Sequence, residues 1–186
     1  VLVDFERDSA FLQTLLRGQL MELLLASGSP RRRALLSLLV DEFDTVDPDI
    51  DESLLAHESP IHYVARLAAE KAQVYEAGDR AVIGADTTVA IGSTVLGKPG
   101  NLESAKDSLR RLSGRAHQVH TALSLNIAGS AQTRVVSTVV NFTHLSEEAI
   151  SHYLMMDEYV GKAGAYAIQG YACAFVSRIE GSYRAV

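Results

Sequence analysis

The sequence predicts an α/β fold, and three observations carry that prediction. Leu23–Arg33 reads Leu-Leu-Leu-Ala-Ser-Gly-Ser-Pro-Arg-Arg-Arg, a short apolar strand that stops in a small-residue loop and passes into a helix start. Arg80–Ile91 is the most apolar segment of the chain, and its unbroken hydrophobicity suits a central strand buried on both faces. Around these strands, Ser59-Pro60, Asn101 and Ser146 each open a helical segment, so strands and helices alternate.

The 186 residues are 47% hydrophobic with 4 Pro and 13 Gly, which suits one globular domain or two intimately packed lobes, and no linker or low-complexity segment divides them. A formal charge of -6 argues against a generic electrostatic hold on nucleic acid, so any phosphate binding must be local. Cys173 is the single cysteine. It excludes a disulfide within the chain, which fits a reducing cytoplasm, and its apolar setting in Tyr171-Ala-Cys-Ala-Phe-Val predicts a buried, inert thiol. No stretch of membrane-spanning length and no signal-peptide pattern is present. The Walker pattern and the Gly-rich dinucleotide fingerprint are also missing, so neither a P-loop ATPase nor a Rossmann dehydrogenase is supported.

Residues 1–20 precede Met21, which reads as a natural start; Phe11, Leu12, Leu15, Leu16 and Leu20 fall roughly on one helical face, as in an added amphipathic helix, an alternative start or an expression remnant. The main domain is expected at 21–186. Ser29 is placed to cap a helix whose first position is Pro30, which loses no hydrogen bond there, and the helix is expected to run through Leu35, Leu36, Leu38 and Leu39. A first turn normally carries acids, yet this one carries Arg31, Arg32 and Arg33. Cations on an already positive helix end, beside a Gly-containing loop, point to an anion such as phosphate; the alternative is a solvated basic face.

Glu42–Val46 alternates as a second strand should, and Asp47-Pro-Asp-Ile-Asp-Glu52 then gathers four acids within six residues, either a solvated loop or part of a divalent-cation site. The helix after Ser59-Pro60 carries Val64, Leu67, Ala68 and Ala72, with Arg66, Glu70 and Lys71. Glu70 and Lys71 are neighbours, so they point about 100° apart and at least one is solvated. Asn101 caps a helix through Ala105, Leu109 and Leu112 that Gly114 closes. Gln118–Ile127, a turn at Gly129-Ser130 and the strand through Val135, Val139 and Phe142 read as a hairpin, and Ser146-Glu-Glu opens a helix to about Met156. A strand is expected over Ala172–Ile179 and a strand-like segment, without a closing helix, at the end.

Asp86 falls inside the apolar strand. A carboxylate there must pair with a cation, bind a metal, work as a base or be satisfied by backbone N–H groups. Lys98, on the Gly97-Lys-Pro99 turn, can return toward it or stay exposed. Gly161-Lys-Ala-Gly-Ala-Tyr-Ala-Ile-Gln-Gly170 is a glycine-punctuated loop suited to close ligand approach, and Gln169 can present a donor and an acceptor to a nucleobase edge.

Five motifs in this order are distinctive: Ala26-Ser-Gly-Ser-Pro-Arg-Arg32, Glu70-Lys-Ala72, Gly84-Ala-Asp-Thr87, Gly97-Lys-Pro99 and Lys162-Ala-Gly-Ala-Tyr-x-Ile-Gln-Gly170. With Leu112-Ser-Gly-Arg-x-His-Gln-Val119 and the terminal Gly181-Ser-Tyr183, they resemble the Maf family of nucleoside triphosphate pyrophosphatases over Met21–Val186. The resemblance implies an elongated mixed β-sheet flanked by helices, with two lobes around a central cleft, similar to the inosine triphosphate pyrophosphatases. It implies hydrolysis between the α- and β-phosphates with a divalent metal, Mg²⁺, Mn²⁺ or Co²⁺, a homodimer, and a small nucleotide as the partner in place of nucleic acid or membrane. Arg31-Arg32, Thr87 and Gln169 resemble the branch acting on dTTP and UTP. The resulting assignment makes Asp86, Lys98 and Lys71 catalytic, Ser27, Ser29, Arg31, Arg32, Thr87 and Gln169 substrate-binding, and Glu52, Glu70 and Asp86 metal ligands, with Asp51 behind them. The family pattern continues past the final Tyr into Val-Gly-Leu-Pro and a helix, whose loss is expected to weaken stability or the dimer. The alternatives are a nucleotidyltransferase, which would need an acceptor, and a non-catalytic nucleotide-binding regulator of cell division, given the family's link to septum formation.

Overall fold

The computed structural model describes residues 21–75 and 78–186, so the amphipathic segment expected from Phe11 to Leu20 lies outside the described residues. In chain order the elements are β1 (Glu22–Ala26), α1 (Pro30–Leu36), β2 (Asp44–Val46), α2 (Pro60–Gln73), β3 (Arg80–Ile91), β4 (Thr94–Leu96), α3 (Leu102–Leu112), β5 (Ala116–Ile127), β6 (Ser130–Phe142), α4 (Glu147–Leu154) and β7 (Val176–Glu180). Short 3-10 turns occupy Ala163–Ala165, Tyr171–Phe175 and Tyr183–Ala185.

The strands form one mixed sheet in the order β2-β1-β3-β5-β6-β7, with β4 paired to β3. β1 runs parallel to β2, with Leu24 opposite Asp44, and parallel to β3, with Glu22 opposite Arg80. Such pairs need crossovers, and α1 and α2 supply them. β4 and β7 are antiparallel to their neighbours. The expected mixed α/β architecture is therefore present.

The chain divides into two compact units. One holds the described residues through Ser53, with Leu67–Ala85 and Leu123–Thr133; its core is Leu23, Leu25, Ala81 and Ile83, packed by Phe43, Leu125 and Ile127 among others. Here Gly84 is required: a Cβ on it would lie 2.3 Å from the Ala68 carbonyl oxygen and 2.5 Å from Ala72 N, so β3 touches the backbone of α2 directly. Asn126 Nδ2 donates to the Ala72 carbonyl at 3.0 Å and ties β5 to the same turn of α2.

The other unit holds Leu54–Arg66, Asp86–Ala122 and Arg134–Val186, around a core that includes Leu109, Leu112, Val140, Phe142, Ile150, Tyr153 and Ile168. α3 begins in a reciprocal capping box, Ser104 N donating to Asn101 Oδ1 at 2.8 Å and Asn101 N to Ser104 Oγ at 3.1 Å. Gly114 follows it at φ 66°, the left-handed position that ends a helix.

Several expectations are corrected. α1 stops at Leu36 because the ladder shortens there to i→i−3 bonds, Leu38 N to Leu35 O and Leu39 N to Leu36 O, while Ser37 Oγ bonds back to Arg33 O. None of its residues is buried, and Leu38 beyond it is 75% exposed. β2 is confined to Asp44–Val46. The strand expected from Ala172 begins only at Val176. Ala172 and Phe175 are the buried positions of that run, a spacing of three that a 3-10 turn satisfies and an alternating strand does not. Cys173 consequently points outward and is exposed, not buried. The end of the chain is a 3-10 turn, Tyr183–Ala185, in place of the strand-like segment.

Candidate active site

In the first unit, β1 delivers the loop Ser27-Gly-Ser29 to the start of α1. Ser29 caps the helix as expected, accepting from Arg32 N at 3.5 Å, and Ser27 Oγ accepts from both Ser29 N (3.3 Å) and Arg32 Nη1 (3.2 Å). The three arginines are not equivalent. Arg32 folds back over the loop, Arg31 is exposed, and Arg33 turns away to donate to Thr45 Oγ1 at 2.9 Å. The Asp47 carboxylate occupies the space where a Cβ of Gly28 would stand, 2.6 Å from it. Asp49 and Asp51 are exposed, and Asp51 accepts from Ser53 N at 2.9 Å.

The pair Glu70 and Lys71 resolves in favour of Lys71, which is 5% exposed on the buried side of α2, while Glu70 is half-buried. Lys71 Nζ donates to Glu52 Oε1 at 2.7 Å and so joins the last acid of the Asp47–Glu52 cluster to α2.

In the second unit, Asp86 is 7% exposed on β3 and Thr87 is half-buried beside it. Thr87 Oγ1 lies 2.9 Å from Thr121 Oγ1 on β5, and Thr121 donates to the Ala185 carbonyl. Gln169, exposed, donates from Nε2 to the main-chain oxygen of Val186 at 2.9 Å. The Lys98 turn is tied to the glycine-punctuated loop by a bond from Gly164 N to Gly97 O at 3.2 Å. Gly164 sits at φ 65° with Val89 where a Cβ would stand, so no other residue lets that loop approach β3 so closely. Glu158 accepts from Tyr171 N at 2.9 Å and fills the space beside Gly170, which fixes the far side of the Gln169 turn. Tyr166 is anchored from below: its hydroxyl is 2.8 Å from Nε2 of buried His117. Burial lowers the His117 pKa to about 4.

The family described as Maf-like protein matches residues 22–186. The chain belongs to the Maf family. It is 48% identical over 169 residues to a protein of Hahella chejuensis named dTTP/UTP pyrophosphatase, covering 88% of this chain and 84% of that one. Proteins of the same name from Vibrio cholerae and Clostridioides difficile are 46% and 44% identical, covering 89% and 88% of this chain and 90% and 86% of theirs. Among solved structures, the Staphylococcus aureus Ham1 protein is similar at a TM-score of 0.46 and 15% identity, covering 65% of this chain and 71% of that one.

For a Maf-family chain the donor chemistry can be tested against a cation. Glu52, Glu70 and Asp86 offer carboxylate oxygen alone, which fits a hard divalent ion such as Mg²⁺ or Mn²⁺. Among the described residues no group of three or more His, Cys, Asp or Glu side chains is gathered in a metal-holding arrangement. Thr121 touches Thr87 and passes its own bond on to the Ala185 oxygen, the Val186 oxygen touches Gln169, and none of these three stood out in the sequence. Their only signal was placement, since a threonine inside Ala116–Ile127 is an ordinary strand residue until β5 is seen beside β3.

Proposed function

We propose that this chain is a nucleoside triphosphate pyrophosphatase that hydrolyses dTTP and UTP between the α- and β-phosphates, giving the nucleoside monophosphate and pyrophosphate. The observation that carries the reading is its 44–48% identity, over 88–89% of its length, to Maf-family relatives named dTTP/UTP pyrophosphatase.

Arg31 and Arg32, with the hydroxyls of Ser27 and Ser29, hold phosphate oxygens; charge-assisted contacts from a planar guanidinium suit that task. Arg32 is already oriented by Ser27. Thr87 and Gln169 read the edge of the pyrimidine. Asp86 accepts the proton of the attacking water as its oxygen bonds to the α-phosphorus and the bond to the bridging oxygen breaks, pyrophosphate departing with that electron pair. Lys98 meets the negative charge that develops on the phosphoryl oxygens, and Lys71 holds Glu52 in place. The carboxylates of Glu52 and Glu70 would offer oxygen ligands to a divalent cation, Mg²⁺, Mn²⁺ or Co²⁺, which would supply charge neutralisation at the phosphates.

The test is a panel of dTTP, UTP, CTP, GTP and ATP, each with one metal and no acceptor, assayed for pyrophosphate as against phosphate. Pyrophosphate from dTTP and UTP alone is expected. Phosphate release would move the cleaved bond, and turnover only with an added acceptor would make the chain a nucleotidyltransferase.

A further inference from the structure

The base-reading pair is not free to choose its hydrogen-bond polarity, because two consecutive main-chain oxygens near the end of the chain set it. A threonine hydroxyl has one proton. Thr121 gives its proton to the Ala185 carbonyl, which can only accept. The 2.9 Å contact between Thr121 and Thr87 therefore needs its proton from Thr87. Thr87 meets any further partner as an acceptor. Gln169 is constrained in the same way: with Nε2 donating to the Val186 oxygen, a flip of the amide would set oxygen against oxygen. The segment that supplies both acceptors is itself fixed. Thr138 Oγ1 accepts from Ser182 N and donates to Ser182 O, both at 3.1 Å, and Gly181 turns the chain at φ 123° with Thr138 packed where a Cβ would be.

We propose that Thr121 is a specificity-positioning residue: by relaying the acceptor polarity of the Ala185 carbonyl to Thr87, it selects pyrimidines that carry a proton on N3 and disfavours cytosine. Uracil and thymine offer a donor at N3, which an acceptor-only Thr87 matches, whereas N3 of cytosine is a lone pair facing a lone pair. This inference rests on Thr87 and Gln169 reading the base. It adds that the discrimination is stored one residue further away, in a hydroxyl that touches no substrate.

The experiment measures kcat and KM for UTP and CTP in the wild type, Thr121→Val and Thr121→Ser, with Kd for UMP and CMP by calorimetry and a thermal melt of each variant. Valine keeps the shape and removes the hydroxyl, so Thr87 can donate or accept. The UTP-to-CTP ratio of kcat/KM is expected to fall about tenfold, the size of one misplaced hydrogen bond, with the loss on UTP in KM more than in kcat. Serine restores the relay and should keep the ratio within about threefold of wild type. If Thr121→Val does not fold, Thr121→Ala reads the same ratio. An unchanged ratio in the variant without a hydroxyl, an equal fall in the serine variant, or a wild type that does not prefer the uracil base would each overturn the proposal. If the wild type hydrolyses neither triphosphate yet binds UMP over CMP in a hydroxyl-dependent way, the pyrophosphatase reading fails while the relay stands.

Discussion

Lys71 and Glu52 meet at 2.7 Å, the lysine buried on α2 and the glutamate on the loop after β2. A buried ammonium needs an opposite charge or several acceptors, so this contact explains why an acid from an otherwise exposed cluster is drawn inward. It also leaves Glu52 with two tasks, holding Lys71 and, in the proposed reaction, helping to hold a cation. Glu52→Gln keeps an acceptor for Lys71 and removes the charge. Because Glu52 is partly solvated, the variant is expected to lose only about 1 kcal/mol in metal-free urea denaturation, while the Mg²⁺ concentration for half-maximal rate rises. An unchanged Mg²⁺ requirement would take Glu52 out of the cation-binding set.

The three arginines of α1 should separate in steady-state kinetics. Arg31→Ala and Arg32→Ala are expected to raise KM for dTTP roughly 10- to 100-fold, the loss of one charge-assisted phosphate contact, and to flatten the salt dependence of the rate. Arg33→Ala should leave KM near wild type, since Arg33 is engaged with Thr45. A KM effect at Arg33 equal to that at Arg32 would show that all three act as a diffuse basic face.

Gly84→Ala tests the packing of β3 on α2. The added methyl meets backbone atoms of Ala68 and Ala72, which cannot rotate away, so a loss of about 3 kcal/mol is expected in urea denaturation. A near-neutral effect would mean that strand and helix can separate at that point.

Most of the fold was legible where local chemistry and burial agree. Asn101 and Ser146 cap helices as read, β3 is buried along nearly its whole length, and Ala128 and Gly129, both at positive φ, close the hairpin one residue ahead of the turn expected at Gly129-Ser130. Legibility failed where apolar residues outnumber the buried places. Leu38 and Leu39 fall beyond the end of the helix expected to run through them, with Leu35 and Leu38 exposed, and Ala172–Phe175 reads as strand because every residue in it is apolar. Only tertiary packing shows that Ala172 and Phe175 alone are inward. At the candidate site, residue types were readable but partners were not. Nothing in the sequence decided that Lys71 and not Glu70 would turn inward, or that Thr87 would rest on Thr121, since both depend on which segments become neighbours.

Acid should expose the role of His117. Its ring is packed edge-on against Phe142 and Tyr166, and burial lowers its pKa to about 4 from an unfolded value near 6.5. Between those values the unfolded chain binds a proton that the folded chain does not, so this group's contribution is present above pH 6.5 and is lost as pH falls to about 4. The full loss is about 3 kcal/mol. Urea denaturation at pH 7 and pH 4.5 should show wild type losing more stability than His117→Gln; equal losses would place the acid sensitivity elsewhere.

The proposed chemistry turns on Asp86. It lies 7% exposed in the longest apolar run of the chain, where an ionised carboxylate is costly to bury. Asp86→Asn preserves shape and hydrogen-bonding size while removing the charge and the basicity. The most direct measurement is kcat for dTTP at saturating Mg²⁺, taken beside a thermal melt. A fall of roughly 100-fold or more in kcat, with the melting temperature held, is the result expected for loss of the general base. An Asn variant that melts normally and turns over within a few-fold of wild type would contradict that role and leave Glu52 or Glu70 to carry it.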